Sequence, residues 1–176
     1  QRLGETPEAL RDLSVSLNNV GNTDQALGDW SQARNAFTEA LEISRRILQR
    51  VGETPKNLRD LSISLEKVGD IESALGHWDQ ARADFTEALE ISRRILQRLG
   101  ETPEALRDLS VSLNKVGNTD QNLGDWKSAQ AAFTEGLEIA RHLAAALPEH
   151  QDHKRLPDWF ERRLAELAAA QEEDRA

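Results

Sequence analysis

Two histidines near the carboxyl end have the spacing that most readily suggests metal chemistry. His150 and His153 are three residues apart, and Glu149 and Asp152 lie beside them. Imidazoles at this spacing on a helix can share a zinc ion. These two fall in a polar segment bounded by prolines, where histidines are more often exposed to solvent than bound to metal. The sequence therefore predicts no metal site.

Catalytic residues are not predicted either. The chain has no cysteine, so it has neither a disulfide framework nor a thiolate metal site. His77 and His142 have no serine, cysteine or acidic pattern beside them that would complete a triad, and the sequence has no glycine-rich phosphate loop. Carboxylates such as Glu39 and Glu87 lie among arginines, as on a solvated, salt-bridged helix surface. We expect a protein that is not an enzyme and needs no cofactor.

Acidic residues dominate the charge of the chain. There are 31 Asp and Glu against 22 Lys and Arg, which gives a net charge of -9. This balance argues against nucleic acid or an anionic membrane as the partner, because both require clustered basic residues. No apolar run is long enough to cross a membrane. We expect a cytoplasmic protein with a basic or neutral protein partner, and the absence of methionine leads us to expect a piece of a longer protein.

A period of 48 residues organises the sequence. Residues 1–18 recur without a change at 97–114, and residues 37–50 recur letter for letter at 85–98. Units that are so nearly identical meet their neighbours through the same surfaces, as in a solenoid. The period predicts three units and a final segment that comprises a connector, a capping helix and an acidic tail: 1–48, 49–96, 97–147 and 148–176.

The punctuation within a unit indicates two long helices. Thr6 is a good N-cap and Pro7 suits the first helical position, so a helix is predicted to begin there. Apolar residues then keep a helical phase until Gly28, which breaks the helix. Asp29 and Gln32 have the spacing of a capping box for the next helix. Each unit is therefore predicted to be a pair of antiparallel helices.

The spacing of small and aromatic residues resembles the signature of the tetratricopeptide repeat (TPR) family. This sequence has a longer period than the usual repeat of about 34 residues, and it is similar to long forms found in large bacterial proteins. The resemblance implies an all-α, TPR-like α-solenoid of three antiparallel helical hairpins plus a C-terminal capping helix. It also implies that Gly21 is a packing glycine inside the first helix. The residues that carry the resemblance in the first unit are Leu17, Val20, Gly21, Gly28, Trp30, Ala33, Phe37 and Ala40, and all three units match in register.

The carboxyl end is predicted to form a cap. Residues 148–156 read as a polar connector, and Pro157 opens a last helix whose apolar face includes Phe160. A terminal repeat needs such an element, apolar inside and polar outside, so Arg163 is expected to face water. The acidic residues 172–174 are expected to be a frayed tail.

At the other end nothing precedes Gln1 in this sequence, so the first helix is expected to have an uncovered flank. Either self-association or upstream repeats in the parent protein would cover it.

A tryptophan recurs at the first turn of each second helix, and the three could be mistaken for a ligand-stacking platform. We expect them to pack against neighbouring helices, since aromatic side chains bury a large area: Trp30, Trp78 and Trp126.

The resemblance also implies a concave groove lined mainly by the first helix of each unit. An asparagine amide both donates and accepts hydrogen bonds, so it can pair with the backbone of an extended peptide. On an exposed helix the same asparagines can equally be merely solvated. The groove positions map to Val15, Asn18, Asn19, Asn22 and Gln25, to Ile63, Glu66, Lys67, Asp70 and Ser73, and to Val111, Asn114, Lys115, Asn118 and Gln121.

The charges at these positions favour a basic peptide. Glu66 and Asp70 replace asparagines in the middle unit and make the groove acidic there. Relatives that grip acidic tails need a clamp of lysines and arginines, and only Lys67 and Lys115 are present. The leading hypothesis is thus a non-catalytic scaffold that binds a peptide or protein segment. The alternatives are homotypic assembly through the repeats and the regulatory arm of a multidomain enzyme or signalling NTPase.

Overall fold

The computed structural model describes residues 6–147, 149 and 151–174, with the side chains of residues 152, 173 and 174 left out. These residues form seven helices and no strand. The predicted all-α, TPR-like solenoid class is confirmed. The chain divides into two compact structural units, which differ from the three sequence repeats and are called the first and second unit from here on: Gln1–Ile91 and Ser92–Ala176. The helices are α1 (Pro7–Ala26), α2 (Trp30–Val51), α3 (Pro55–Ala74), α4 (Trp78–Leu99), α5 (Pro103–Asn122), α6 (Trp126–Ala146) and α7 (Gln151–Asp174).

A threonine and a proline begin the first helix of each hairpin, as predicted. The Thr6 hydroxyl accepts a hydrogen bond from the backbone N–H of Ala9 at 3.2 Å. Pro7 takes the first helical turn, where its missing N–H has no partner to lose. Thr54 and Thr102 cap α3 and α5 in the same way.

The turn within a hairpin is made by a glycine in a left-handed conformation. Gly28 has a φ of 80°, which confirms it as the break between α1 and α2. Asp29 then caps α2 by accepting from the backbone N–H of Gln32 at 3.1 Å. The Gln32 side chain donates to the Asp29 carboxylate at 2.8 Å, because the Asp29 N–H is already bound to the carbonyl of Asp24.

Gly21 lies inside α1 and allows α2 to approach closely. A Cβ built on Gly21 would stand 2.6 Å from Cε1 of Phe37, a ring with no exposed surface. A mid-helix glycine costs about 1 kcal/mol relative to alanine, and burial of the phenylalanine ring offsets this cost. The prediction of a packing glycine is confirmed, and the contact recurs between Gly69 and Phe85 and between Gly117 and Phe133.

The predicted start of the last helix at Pro157 is wrong. α7 begins at Gln151, so most of the predicted connector is helical, and Pro157 lies within the helix. Gln151 continues the 48-residue phase of Pro55 and Pro103, which makes α7 the counterpart of a first helix. The helix also continues to Asp174, through the residues that were predicted to be a frayed tail.

Packing against α6 compensates for the proline in α7. An interior proline removes one backbone hydrogen bond and costs about 3 kcal/mol. Phe160 and Leu167 are buried in a cluster with Phe133 and Leu137 of α6, and Leu156 packs against its edge. The Phe160 ring lies directly against Gly136. The glycine that replaces an alanine in the third sequence repeat therefore leaves space for the Phe160 side chain of α7.

Three side-chain predictions need correction. His153 is buried and not solvent-exposed, because the segment that carries it is helical and packed. Arg163 is half-buried and does not face water. Trp30 is 39% exposed, although Trp126 packs against the cluster around Phe133 as predicted. The other proposed ligand, His150, and residues 1–5 lie outside the described residues.

Candidate functional site

In the first unit, α1 and α3 lie side by side. The guanidinium of Arg11 donates to Asp60 at 3.0 Å and to Asn57 at 2.9 Å. Further along the two helices, Lys67 Nζ donates to Asn22 Oδ1 at 2.9 Å. The predicted groove residues of these two helices therefore share one face, and none of the ten side chains is fully buried.

Lys67 is held in place by both helices of the first hairpin. Its ammonium lies 5.7 Å from the centroid of the Phe37 ring in α2, within the range of a cation–π interaction. The same group binds the Asn22 amide oxygen in α1. Lys67 thus completes the packing around Phe37, and the acceptor half of Asn22 is already engaged.

The second unit repeats this arrangement with α7. Arg163 Nη2 donates to Asn118 Oδ1 at 2.5 Å and to Gln121 Oε1 at 2.8 Å. Its guanidinium carbon lies 5.3 Å from the centroid of the Phe133 ring. Arg163 is in phase with Lys67 in the 48-residue period and plays the same part.

The polar groove residues of α5 are therefore partly used by the cap. Asn118 also donates through Nδ2 to Asn114 Oδ1 at 2.6 Å. Asn118 and Gln121 are bound to α7 through Arg163, while Val111 remains 37% exposed. The predicted residues of α5 lie together on one face, but two of them position α7.

Sequence reasoning missed a cavity between the first three helices that is lined by apolar side chains and by a few polar groups. It has a volume of about 150 Å³ and is bordered by the predicted residues Val15, Asn18 and Ile63. Ser44 and Ser64, which also line it, are joined by a 2.9 Å hydrogen bond. The available signal was a pair of serines within otherwise apolar helix faces, repeated one period later at Ser92 and Ser112.

A second polar cluster joins α2, α3 and α4. Glu72 is buried, and its carboxylate binds Arg34 Nε at 2.5 Å and His77 Nδ1 at 2.7 Å. Half-buried Asp84 lies nearby. Burial, and to a smaller extent the charges of Glu72 and Glu87, raise its pKa from 3.8 to about 6 against the opposing effect of Arg45. The ionised form of Asp84 is therefore disfavoured in the folded chain.

The raised pKa of Asp84 predicts that its ionisation lowers the free energy of unfolding as the pH rises from about 4 to about 6. A carboxyl whose folded pKa is raised binds its proton more tightly when folded, so its cost develops on ionisation and is complete above the folded pKa. Asp84→Ala restores the alanine found at the same position in α2 and α6. We expect the variant to be more stable at pH 7.5 by about 1 kcal/mol, allowing for solvent screening.

Urea midpoints at pH 4 and pH 7.5 measure this effect. The advantage of Asp84→Ala should nearly vanish at pH 4, and the exposed Glu90→Ala in the same helix is the control. An equal advantage at both pH values would show that the alanine acts through packing and not through the loss of charge.

Some features are not found among the described residues. No three His, Asp or Glu side chains there are close enough to hold a metal ion. No described helix is long and apolar enough to span a membrane.

These hairpins, each with a glycine facing a phenylalanine and polar residues on the first helix, define a helical repeat of the kind that presents a binding face. Residues 12–94 match the family model of the tetratricopeptide repeat, and this part of the chain belongs to that family. In the third hairpin, beyond the match, residues 97–114 repeat residues 1–18 without a change, and Gly117 again faces Phe133. No curated protein matches the chain at a significant level.

Solved structures of other helical proteins are distantly similar. A chain in the cryo-EM structure of the Sec complex from S. cerevisiae is 20% identical with a TM-score of 0.48, and the match covers 94% of this chain and 78% of that one. The de novo designed helical repeat protein DHR64 is 14% identical with a TM-score of 0.42, covering 96% and 84%. The DHF119 filament is 16% identical with a TM-score of 0.43, covering 95% and 83%. Similarities this low do not bear on function.

Proposed function

We propose that the chain is a cytoplasmic, non-catalytic scaffold that binds a peptide or protein segment along the α1–α3 face of the first unit. The observation that carries this proposal is the pairing of α1 with α3 through Arg11–Asp60 and Lys67–Asn22. It makes one continuous polar surface of the groove residues from two repeats. Tetratricopeptide repeats generally bind proteins or peptides, which supports the same function.

The asparagines of α1 are suited to the backbone of an extended segment. Asn18 and Asn22 are one helical turn apart, so their amides are spaced along the helix axis by about 6 Å. Each amide has N–H donors for the carbonyl groups of a peptide, while the acceptor oxygen of Asn22 is already bound by Lys67. Binding through backbone groups leaves the partner's sequence to be selected by the charges around them.

Those charges favour a basic segment. Glu66 and Asp70 flank Lys67 on α3 and remain partly exposed. Lys67 itself is committed to Asn22 and to the Phe37 ring, which does not suit it to an anion clamp. We place the main binding surface in the first unit, because Asn118 and Gln121 in the second hold α7.

A charge-matched pair of variants tests the groove. Random 12-residue peptides displayed on phage are selected on the wild-type chain, and we expect enrichment of Lys and Arg. Glu66→Gln/Asp70→Asn should weaken the selected peptides about fivefold at low salt, the effect of losing two partly exposed ion pairs. The difference should shrink in 1 M salt, where the Debye length is about 3 Å.

The control is Glu39→Gln/Glu42→Gln, which removes the same charge from exposed positions of α2. Equal weakening by both pairs would show an effect of net charge and not of the groove. The groove is assigned wrongly if affinity also survives replacement of Asn18, Asn22, Asn114 and Asn118 by alanine.

Homotypic assembly is a second candidate, and the flank of α1 favours it. Leu13 and Val20 are 45% and 51% exposed, whereas their counterparts in α3, Leu61 and Val68, are 4% and 7% exposed. The two helices share their apolar pattern, including the leucines and the valine–glycine pair, and α3 packs against the preceding helix α2. Among the described residues, the flank of α1 therefore carries apolar side chains that are buried at the same positions of α3 but have no helix packed on them in α1. A helix from a second copy would bury it.

Light scattering over a concentration series tests the assembly. The wild-type chain should increase in mass with concentration, and Leu13→Glu/Val20→Glu should remain a monomer. Leu75→Glu, at an exposed leucine outside the flank, should behave as wild type. A wild-type chain that is monomeric throughout would remove this candidate and leave the groove unaffected.

A further inference from the structure

The cavity between α1, α2 and α3 is too small for a cofactor and large enough for the end of a side chain. Its volume of about 150 Å³ is below the range of about 300–1,000 Å³ that holds drug-sized ligands. Val15 and Ile63 border it and are 55% and 45% exposed, while Ile47 is buried at 3%. An entering side chain would pass apolar groups before it reached polar ones.

The three serine hydroxyls that line the cavity have already donated their protons. The Ser64 hydroxyl donates to the carbonyl of Asp60 at 3.0 Å, so the 2.9 Å bond between Ser44 and Ser64 takes its proton from Ser44. Ser14 donates to the carbonyl of Ala40 at 3.4 Å. Each hydroxyl has given its one proton and keeps lone pairs that can accept. The guanidinium of Arg11, which also lines the cavity, is directed to Asp60 and Asn57.

Asn18 adds an acceptor without a donor. Its Oδ1 is buried, and no donor among the described residues forms a hydrogen bond with it. A buried acceptor in this state costs about 1–3 kcal/mol. The amide turns about χ2, a broad torsion, so a small rotation suffices to meet a donor that enters the cavity. The serine hydroxyls and the Asn18 oxygen therefore offer acceptors to an entering donor, beside the N–H groups of the Asn18 amide and of Arg11.

The same position in the third hairpin is filled. Ala140 and Phe160 stand two periods after Ser44 and Ser64 of the first unit, and both are buried in the cluster of the second unit. The amide oxygen of Asn114, the counterpart of Asn18, is satisfied there by Asn118. In the second unit, apolar side chains of α6 and α7 thus fill the space that is an open, serine-lined cavity in the first unit.

We propose that this cavity is a specificity pocket for a lysine side chain of the bound peptide. The methylene stem would pass Val15 and Ile63, and the ammonium would donate to Asn18 Oδ1 and to the hydroxyl oxygens of Ser14 and Ser44. An ammonium supplies three donors and no acceptor, which complements the cavity, and long cationic side chains bury their stems against apolar surface in this way. The inference rests on the proposed peptide-binding function and names the residue that the groove selects.

Peptide sub-libraries test the pocket. Fluorescein-labelled 12-residue mixtures carry Lys, Gln or norleucine at a fixed central position, and anisotropy gives their affinities. Norleucine keeps an apolar stem and lacks the ammonium. We expect the Lys mixture to bind about tenfold more tightly than the norleucine mixture, the effect of one charge-assisted hydrogen bond, with Gln between them. Asn18→Leu and Ser44→Ala should each reduce the ratio, whereas Ser16→Ala, a hydroxyl bound to Asp12 outside the pocket, should keep it.

Titration with n-butylammonium gives a second measurement that does not need a peptide. The Asn18 side-chain amide resonances should shift with a saturable dependence in wild type and more weakly in Ser44→Ala. Peptide binding with no preference for Lys, or with a preference that Asn18→Leu leaves intact, overturns the pocket but not the groove. If no peptide binds, the proposed function fails, and the titration alone then decides: a saturable shift upholds an ammonium pocket, and no shift rejects it.

Discussion

Phe160→Ala is expected to lower the free energy of unfolding of the second unit by about 3–5 kcal/mol, the cost of removing a buried phenylalanine ring. The ring is 1% exposed and contacts Gly136. It also packs edge-to-face against Trp159 with the ring centroids 4.8 Å apart. Gly136 has no side chain that could move into the space of the missing ring, so the cavity left by Phe160→Ala should persist.

Urea unfolding followed by circular dichroism and tryptophan fluorescence measures the loss. Phe160→Leu is the control and should cost less, since it keeps most of the apolar volume. A loss below about 1 kcal/mol for the alanine variant would mean that α7 contributes little to the second unit. The interpretation of α7 as a cap would then be wrong.

Gly69→Ala is expected to destabilise the first unit by about 2 kcal/mol, although alanine is the better helix former. The added Cβ would stand 2.6 Å from Cε1 of Phe85, a ring that is 2% exposed. Overpacking costs about 1–3 kcal/mol, and a contact this short with a buried ring belongs at the upper end, about 3 kcal/mol. Subtracting the propensity gain of about 1 kcal/mol leaves a net loss of about 2 kcal/mol. The same unfolding measurements report it.

A double variant separates the contact from other effects. Gly69→Ala/Phe85→Leu should be more stable than the sum of its single changes predicts, because leucine can move away from the new methyl group. Gly76→Ala is a matched control, since Gly76 has a φ of 77° and no atom within 4 Å of a built Cβ. It should cost about 1 kcal/mol through backbone conformation alone. Additive effects of Gly69 and Phe85 would show that the two do not constrain each other.

These contacts connect stability to the binding face. In the first unit the cation over the buried phenylalanine is Lys67 of α3, and in the second it is Arg163 of α7. Each also fixes an asparagine of the preceding first helix. A first helix therefore has a groove amide ordered by the next helix after its own hairpin. In the second unit that next helix is the cap.

Local signals in the sequence were sufficient for the hairpins. Thr6 and Pro7 determine where α1 begins because a cap and a proline act within one turn. Gly28 determines the turn because its conformation suits glycine. Gly21 could be assigned to packing because the resemblance to the TPR signature holds in register in all three repeats; the structure added that its partner is Phe37.

Only the tertiary structure showed where α7 begins and that serines of different helices line a cavity between α1, α2 and α3. Pro157 is a local signal for a helix start, yet the burial of Phe160 against Gly136 outweighs it and the helix begins at Gln151. Ser44 and Ser64 belong to different helices, so their hydrogen bond depends on how α2 and α3 pack. The sequence by itself determined what each turn and cap does, because those interactions span a few residues. Which polar groups meet across helices depends on distances that the chain's own order does not contain.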